Sequence, residues 1–393
     1  MEFSPTVSLD DLPNELLLQV FSYLSQYDLL SCVSRVNSKW FRLARTQSLW
    51  SHVDLSARPL KLPALRRLSK LPLIGPHTFS LSIRFSPDAK LSGRTLTPLL
   101  HNCSHLKKLE MTDASLISCT ELLAVVPVCL NSLKLCRLRC KRPGLLELSQ
   151  VQLPRLTSLD VSQCAWITDP YLVSLMGINN LVNLNVTGCY RLFGGTPRSL
   201  RLNERMDRIC LLLERHCSGL RRLSLASVLT LPLDRREIAS TRPDLLSSIP
   251  QALTQLSHVD LSDSRTLVQL FSSLPKSQGL MAAQSFWESI CPDPSISECF
   301  KSKVTLVLGR WPPECVVLFV EAAQDLTSQC SVCVFVDEVS LIDPHLSSSL
   351  PSNPLVRVES LISSSRRKLK RPASHSLRPE SCIKWPGRDG LMA

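Results

Sequence analysis

Leu156-Thr157-Ser158-Leu159-Asp160-Val161-Ser162-Gln163-Cys164 is answered 25 residues later by Leu181-Val182-Asn183-Leu184-Asn185-Val186-Thr187-Gly188-Cys189. Both stretches read Leu-x-x-Leu-x-Val-x-x-Cys. The alternation has the period of a β-strand, with two apolar side chains on one face and Asp160 or Asn185 between them on the other. The frame runs backward through Leu130-x-x-Leu133-x-Leu135-x-x-Leu138 and Leu106-x-x-Leu109-x-Met111-x-x-Ala114. It runs forward through Leu220-x-x-Leu223-x-Leu225-x-x-Val228 and a weaker copy, Leu256-x-x-Val259-x-Leu261-x-x-Ser264. From Leu109 to Leu184 the second apolar positions are separated by 24, 26 and 25 residues, and the next two steps are 39 and 36.

This period fits a short strand, a turn and a returning helix. One such unit cannot bury its apolar face, so neighbours must stack into a curved solenoid. The frame is that of a leucine-rich repeat. The longer steps predict insertions near residues 190–200, where Gly194, Gly195 and Pro197 lie, and near 229–250. Such insertions sit on the rim of a solenoid, where binding loops often lie. Upstream, His52 to Ser56 and Phe79 to Ile83 alternate as strands. Residues 265–303 carry no clear pattern. Downstream, Val304–Leu308, Pro313–Leu326 and Val332–Val336 read as a strand, a helix and a strand that close the open end.

A different period governs residues 12–50. Leu12, Leu16, Val20 and Leu24 step at helical spacing, and Leu17 and Phe21 widen the apolar stripe. Pro13 and Glu15 suit the first turn of a helix. Ser25 to Asp28 break it, with Asp28 placed to cap a second helix. Leu29, Val33 and Val36 continue the apolar face, followed by Trp40, Leu43 and a closing Leu49-Trp50. About 40 residues rarely bury enough surface to fold alone. The surplus of large apolar side chains therefore needs either the downstream chain or a partner.

Leu12-Pro13-x-Glu15-Leu16, Phe21-x-x-Leu24, Asp28-Leu29, Val36, Trp40 and Leu49-Trp50 resemble the F-box, with Asn37 standing where many F-boxes have cysteine. Cys164-Ala165-Trp166-Ile167-Thr168-Asp169 resembles the cysteine-containing repeat common behind F-boxes. The chain is therefore identified as a member of the F-box/leucine-rich-repeat family. The expected architecture is α/β: a three-helix F-box at 9–52, a leucine-rich-repeat solenoid of parallel strands and outer helices at 53–342, and a disordered basic tail at 343–393. The resemblance implies a substrate-recognition subunit of an SCF-type ubiquitin ligase, bound through a Skp-type adaptor to cullin and RING subunits. It also implies adaptor contacts from Leu12, Pro13, Leu16, Leu17, Val20, Phe21, Leu24, Leu29, Val33, Val36, Trp40, Leu49 and Trp50, some of which must instead hold the module together. The alternative is a non-catalytic repeat scaffold with no ligase role.

The 393 residues are 44% hydrophobic, and no apolar run approaches membrane-spanning length. No secretory signal is read at the N-terminus, so the 16 cysteines read as reduced, buried small hydrophobes. Cys330-Ser331-Val332-Cys333 is the lone C-x-x-C and lacks the second pair of a zinc site. Of the formal charge of +12, half lies between Arg366 and Ala393. The cluster Arg366, Arg367, Lys368, Lys370 and Arg371 suits nuclear import or a polyanion, or is a solvated tail. A mildly basic body disfavours nucleic acid as the main partner. The expected compartment is cytoplasm, nucleus or both.

No phosphate loop, dinucleotide fingerprint, H-E-x-x-H or G-x-S-x-G motif is present. No catalytic residue, metal site or cofactor is expected, and the chain is read as non-enzymatic. The substrate surface is expected on the strand-lined concave face, at Glu110, Lys134, Asp160, Asn185 and Asp260 of a central column that also holds Asp54, Ser82 and Ser224, and at Arg222 flanking it. That column is acidic enough to suggest a basic segment on the substrate.

Overall fold

The structure is a computed structural model that describes residues 9–142, 153–176, 180–192, 201–230, 233–242, 244–291, 303–324, 326, 330–337 and 355–360. Eleven strands form one sheet: His52–Leu60, Ser80–Phe85, Lys108–Thr112, Ser132–Cys136, Ser158–Asp160, Asn183–Asn185, Arg222–Ser224, His258–Asp260, Lys303–Gly309, Ser331–Val336 and Val356–Ser360. Each pairs in parallel with the next of the series. Helices return the chain between most of them, among them Gly93–His101, Leu202–His216, Arg265–Ser273, Lys276–Ile290 and Pro313–Gln324. This is the solenoid that the repeat frame predicts.

The register explains why the frame folds this way. Val53, Leu81, Leu109, Leu133, Leu159, Leu184, Leu223, Val259, Leu306 and Val334 stand side by side across the sheet, and all are buried. The next inward positions, such as Ile83, Met111, Leu135, Val161 and Leu225, are buried too. Each leucine therefore packs between its counterparts in adjacent repeats, and the core continues from the N-terminal helices to Val356.

Four residues past the inner apolar position, the chain turns through the left-handed region at Asp113, Arg137, Gln163, Gly188, Ser227 and Asp263, with φ between 54° and 71°. That conformation costs non-glycine residues roughly 1–2 kcal/mol each. The cost is offset because the turn amides extend the ladder: Arg137 N–H donates to Ser162 O at 3.0 Å, Gly188 to Ala226 at 2.8 Å and Ser227 to Ser262 at 2.9 Å. One residue further, the Cys164 thiol donates to Leu135 O at 2.9 Å and the Cys189 thiol to Val161 O at 3.1 Å. Trp311 takes the same place in its repeat, its indole N–H donating to Leu261 O at 3.0 Å. The cysteine position thus supplies a side-chain donor to a carbonyl of the preceding repeat.

A second, three-stranded parallel sheet lies just beyond these turns, from Lys90–Leu91, Ser115–Ser118 and Arg139–Arg142.

Several expectations change. Residues 265–303 lacked a visible pattern, yet two helices occupy 265–273 and 276–290 because the apolar positions follow the 3.6 period of α-helix: Leu267, Leu270 and Phe271, then Ala282, Ala283, Phe286, Trp287 and Ile290 are buried. The expected insertion at 229–250 contains two of the returning helices, Arg235–Ser240 and the first residues of Ser248–Ala252. The tail expected from 343 is corrected at Val356–Ser360, which pairs with Ser331–Val336 as the last strand. Its short Val-x-Val alternation is enough to extend an open parallel edge. The cluster at 366–371 and the insertion at 193–200 lie outside the described residues. No helix among the described residues is long and apolar enough to cross a membrane.

Candidate docking surfaces

Residues 9–50 fold into three short helices, α1 (Asn14–Ser22), α2 (Gln26–Ser31) and α3 (Ser38–Leu43), with 3₁₀ turns before α1, between α2 and α3, and after α3. Pro13 is the N-cap of α1, one residue outside the first turn. Asp28 does not cap α2. Ser25 does, accepting Asp28 N–H at 3.1 Å, because the helix starts earlier than the break suggested. Asn37 caps α3, accepting Trp40 N–H at 2.8 Å, and its amide donates to Asp10 at 2.9 Å. An asparagine there serves as helix cap and as tie to the N-terminal turn.

The module splits the thirteen expected docking residues. Leu17, Phe21, Leu29, Val33, Leu49 and Trp50 are buried. Trp50 donates its indole N–H to Ala44 O at 2.9 Å, and Trp40, half-buried, packs edge-on against Phe21 at 5.2 Å. These side chains hold the helices together, as amphipathic spacing makes inner and outer positions alike in sequence. Leu12 is half-buried and Pro13 exposed. Leu16 is 46% exposed, Val20 47% and Val36 55%, and Leu24 is also exposed. Tyr23, 83% exposed, and Leu9 join this apolar surface without having been singled out in the sequence. Leu16, Val20 and Tyr23 are spaced i, i+4, i+7, along one face of α1 and its C-cap.

The module is tied to the repeats. The Gln26 side chain donates to His52 O at 3.1 Å and accepts Asp54 N–H at 3.3 Å, and Tyr27 OH donates to Arg58 O at 3.2 Å. Thr78, fully buried, donates to Trp50 O at 3.0 Å.

On the strand side, the central column stands in register: Asp54, Ser82, Glu110, Lys134, Asp160, Asn185, Ser224 and Asp260. Its acids are largely engaged. Asp160 accepts Ser162 N–H, Asn185 accepts Thr187 N–H and Asp260 accepts Ser262 N–H, each at 3.0 Å, and Asp54 does the same for Ser56 at 2.9 Å. Aspartate and asparagine at this position shape the turn two residues on. Glu110 pairs with Lys134 at 2.8 Å. Burial pulls the Lys134 pKa down, but the Glu110 hydrogen bond and charge, with Asp160, hold it above its ordinary value. Arg222 is exposed beside His258, whose pKa burial pushes down, against the pull of Asp260 and in step with that of Arg222.

Past the strand ends lies a cleft of about 480 Å³ that the sequence did not single out. Arg137, Arg139 and Arg191 line it with Asp113, Gln163 and Trp166. Asp113 accepts from Arg137 Nε at 2.5 Å and from Arg84 Nε at 3.0 Å. The Arg137 hydrogen bond above all holds the Asp113 carboxyl below its usual range.

An F-box-like family model matches residues 9–56. F-box/LRR-repeat protein 5 of Xenopus tropicalis is 52% identical over 48 residues, 12% of this chain and 7% of that protein. F-box/LRR-repeat protein 12 of Homo sapiens is 31% identical over 196 residues and that of Mus musculus 29% over 191, in each case 47% of this chain and 57% of the relative. The match thus spans little more than half the length of the two F-box/LRR-repeat protein 12 relatives and a small fraction of the F-box/LRR-repeat protein 5 relative. The leucine-rich repeat-containing protein LegL7 of Legionella pneumophila overlaps 76% of this chain and 96% of its own at 14% identity and a TM-score of 0.37. The solenoid stands on its own sheet register, without that likeness.

Proposed function

We propose that this chain, an F-box/LRR-repeat protein by its F-box-like residues 9–56 and the parallel repeat sheet behind them, is the substrate receptor of an SCF-type ubiquitin ligase. The F-box-like helices dock on a Skp-type adaptor, which connects to cullin and RING subunits, and the repeats hold a protein substrate. The observation that carries this is the apolar surface of Leu16, Val20, Tyr23, Leu24 and Val36 on a module whose core is already filled by Leu17, Phe21, Leu29 and Trp50. An exposed apolar row beside a complete core marks a surface that a partner covers.

The chain's part in the chemistry is geometric. Holding a substrate lysine beside a charged conjugating enzyme turns a bimolecular transfer into a nearly intramolecular one, an effect worth up to ~7–11 kcal/mol of barrier. Among the expected substrate residues, Arg222 is the exposed one, whereas Glu110 and Lys134 pair with each other and Asp160, Asn185 and Asp260 give oxygens to the turns.

Mixing the purified full chain with the adaptor should give a one-to-one complex on size exclusion. Adding the cullin–RING core, a charged conjugating enzyme and a captured substrate should yield ubiquitinated substrate only when the chain is present. A chain that elutes apart from the adaptor would falsify the receptor reading.

A further inference from the structure

The cleft beyond the strand ends is set apart from the concave column by its charge. Three arginines and one aspartate line it, so the lining carries a net positive charge of two. Arg84 adds a third through its pairing with Asp113. The arginines come from two repeats, with the repeat of Ser158–Asp160, which supplies Gln163 and Trp166, between them. Arg137 stands at the left-handed turn after Ser132–Cys136, Arg139 opens the strand Arg139–Arg142, and Arg191 follows the cysteine of the repeat at Leu184. Arg137, Arg139 and Arg191 are all exposed.

Their states differ in a way that suits anion capture. Arg137 gives Nε and one terminal nitrogen to the two oxygens of Asp113, at 2.5 and 3.2 Å. That bidentate grip fixes the plane of its guanidinium and leaves its other terminal nitrogen for a ligand. Among the described residues, Arg139 and Arg191 have no acidic partner. By contrast Arg208 and Lys276 on the outer helices, and Arg242 just past the helix Arg235–Ser240, each pair with a carboxylate. Asp113 is shared by two guanidinium groups, so it cannot also neutralise the rest. The Trp166 indole forms part of the wall and is locked by its N–H donating to Leu138 O at 2.9 Å and by an edge-on contact with Tyr171 at 5.7 Å. Gln163 adds an exposed amide. A cleft of about 480 Å³ falls within the ~300–1,000 Å³ of ligand pockets.

We propose that this cleft, through Arg137, Arg139 and Arg191, binds a phosphorylated side chain on an extended segment of a protein partner. A phosphate carries close to two negative charges and three acceptor oxygens, and planar guanidinium groups match it in geometry as well as charge. A single carboxylate offers less charge to a lining with a surplus of two. That the segment belongs to the ligase substrate rests on the receptor reading; that the cleft takes a phosphate does not.

The test uses the full chain in complex with the adaptor, beside the double variant Arg139→Gln/Arg191→Gln. The probes are degenerate peptide libraries with a central phosphoserine, serine or glutamate, read by fluorescence anisotropy. The phosphoserine library should bind at least about tenfold tighter than the serine library. The double variant should lose about tenfold or more, the worth of a charge-assisted hydrogen bond. Raising the salt should weaken wild-type binding. The variant should melt with the wild type and co-elute with the adaptor. Loss of peptide binding with the adaptor retained therefore speaks of the cleft alone, and loss of both would fault the receptor reading or the fold. No preference for phosphoserine over serine overturns the proposal, as does a preference that survives the double substitution. Equal binding of the glutamate library assigns the cleft to acidic segments and overturns the phosphate assignment. Tighter binding of a single-stranded RNA oligonucleotide than of the phosphoserine library overturns it in favour of a nucleic acid.

Discussion

Replacing Leu16, Val20 and Val36 together by alanine separates docking from folding. The three side chains stand 46%, 47% and 55% exposed, so about half of each remains for a partner to cover. The substitutions remove seven carbons in all. At ~0.8 kcal/mol for each buried methylene, half of that burial comes to about 3 kcal/mol, or roughly 150-fold in Kd for the adaptor. Folding should be nearly indifferent, since substitutions at such exposed positions stay within ~0.5 kcal/mol each. Phe21→Ala is the counter-example: that ring is buried against Trp40, and its loss should cost ~3–5 kcal/mol of stability, enough to unfold the module. Titration calorimetry of purified chain with purified adaptor, paired with thermal melts, reads both quantities. If the triple variant keeps its Tm and its Kd moves less than about threefold, this face is not where the adaptor sits.

Trp311→Phe should lower stability by ~1–3 kcal/mol in denaturant melts, because it leaves the buried Leu261 carbonyl without the indole N–H that reaches it at 3.0 Å. Thiol chemistry should divide the cysteines. Burial pushes Cys189 and Cys217 up to about 12 and Cys103 and Cys333 up to about 11, so at mildly alkaline pH they should alkylate only on unfolding, while exposed Cys32 reacts at once; mass spectrometry after a timed pulse reads the order. His258 has its folded pKa pushed down by burial, so the unfolded chain takes up its proton first. Its contribution is fully present above about pH 6.5 and is lost as pH falls towards the folded value. Denaturant midpoints for wild type and His258→Gln should therefore converge on acidification through that window.

The repeat frame was legible because solenoid packing repeats its demand. The same two inward positions face the same neighbours at each turn, so Leu159 and Leu184 announce each other across 25 residues. The cysteine position was legible as packing, though not as the thiol donor to Leu135 O that the structure shows at 2.9 Å. The docking face was legible only as a stripe. Leu16 and Leu17 differ by one residue, yet one is exposed and the other buried, and no periodicity assigns the inside of a helix that has apolar residues on two sides. Helix 276–290 escaped notice because small residues, Gly279, Ala282 and Ala283, supply half of its buried face, and helix 265–273 because its apolar face is only three large residues long. The arginine cleft escaped for another reason. Arg137, Arg139 and Arg191 come from two turns and a strand start, and only the stacking of repeats brings them to one place.

The joint between the two parts bears on how such a receptor would act. An effective concentration survives only if the two binding sites keep a fixed separation, since a slack linker spreads the substrate over a growing volume. Here the joint has little slack. Trp50 closes the helical module and, through its carbonyl, accepts from Thr78 at the head of the second strand. Phe79 N–H bonds Ser51 O at 2.8 Å, and Gln26 clamps His52 and Asp54 from the other side. One apolar core runs through the joint, from Phe21 and Leu29 to Val53 and Leu81, so the helices cannot swing without opening buried surface. The register of eleven strands then fixes where the arginine cleft lies relative to Leu16 and Val20. In a receptor of the proposed kind, the distance from adaptor to captured segment is set by the count of repeats between them.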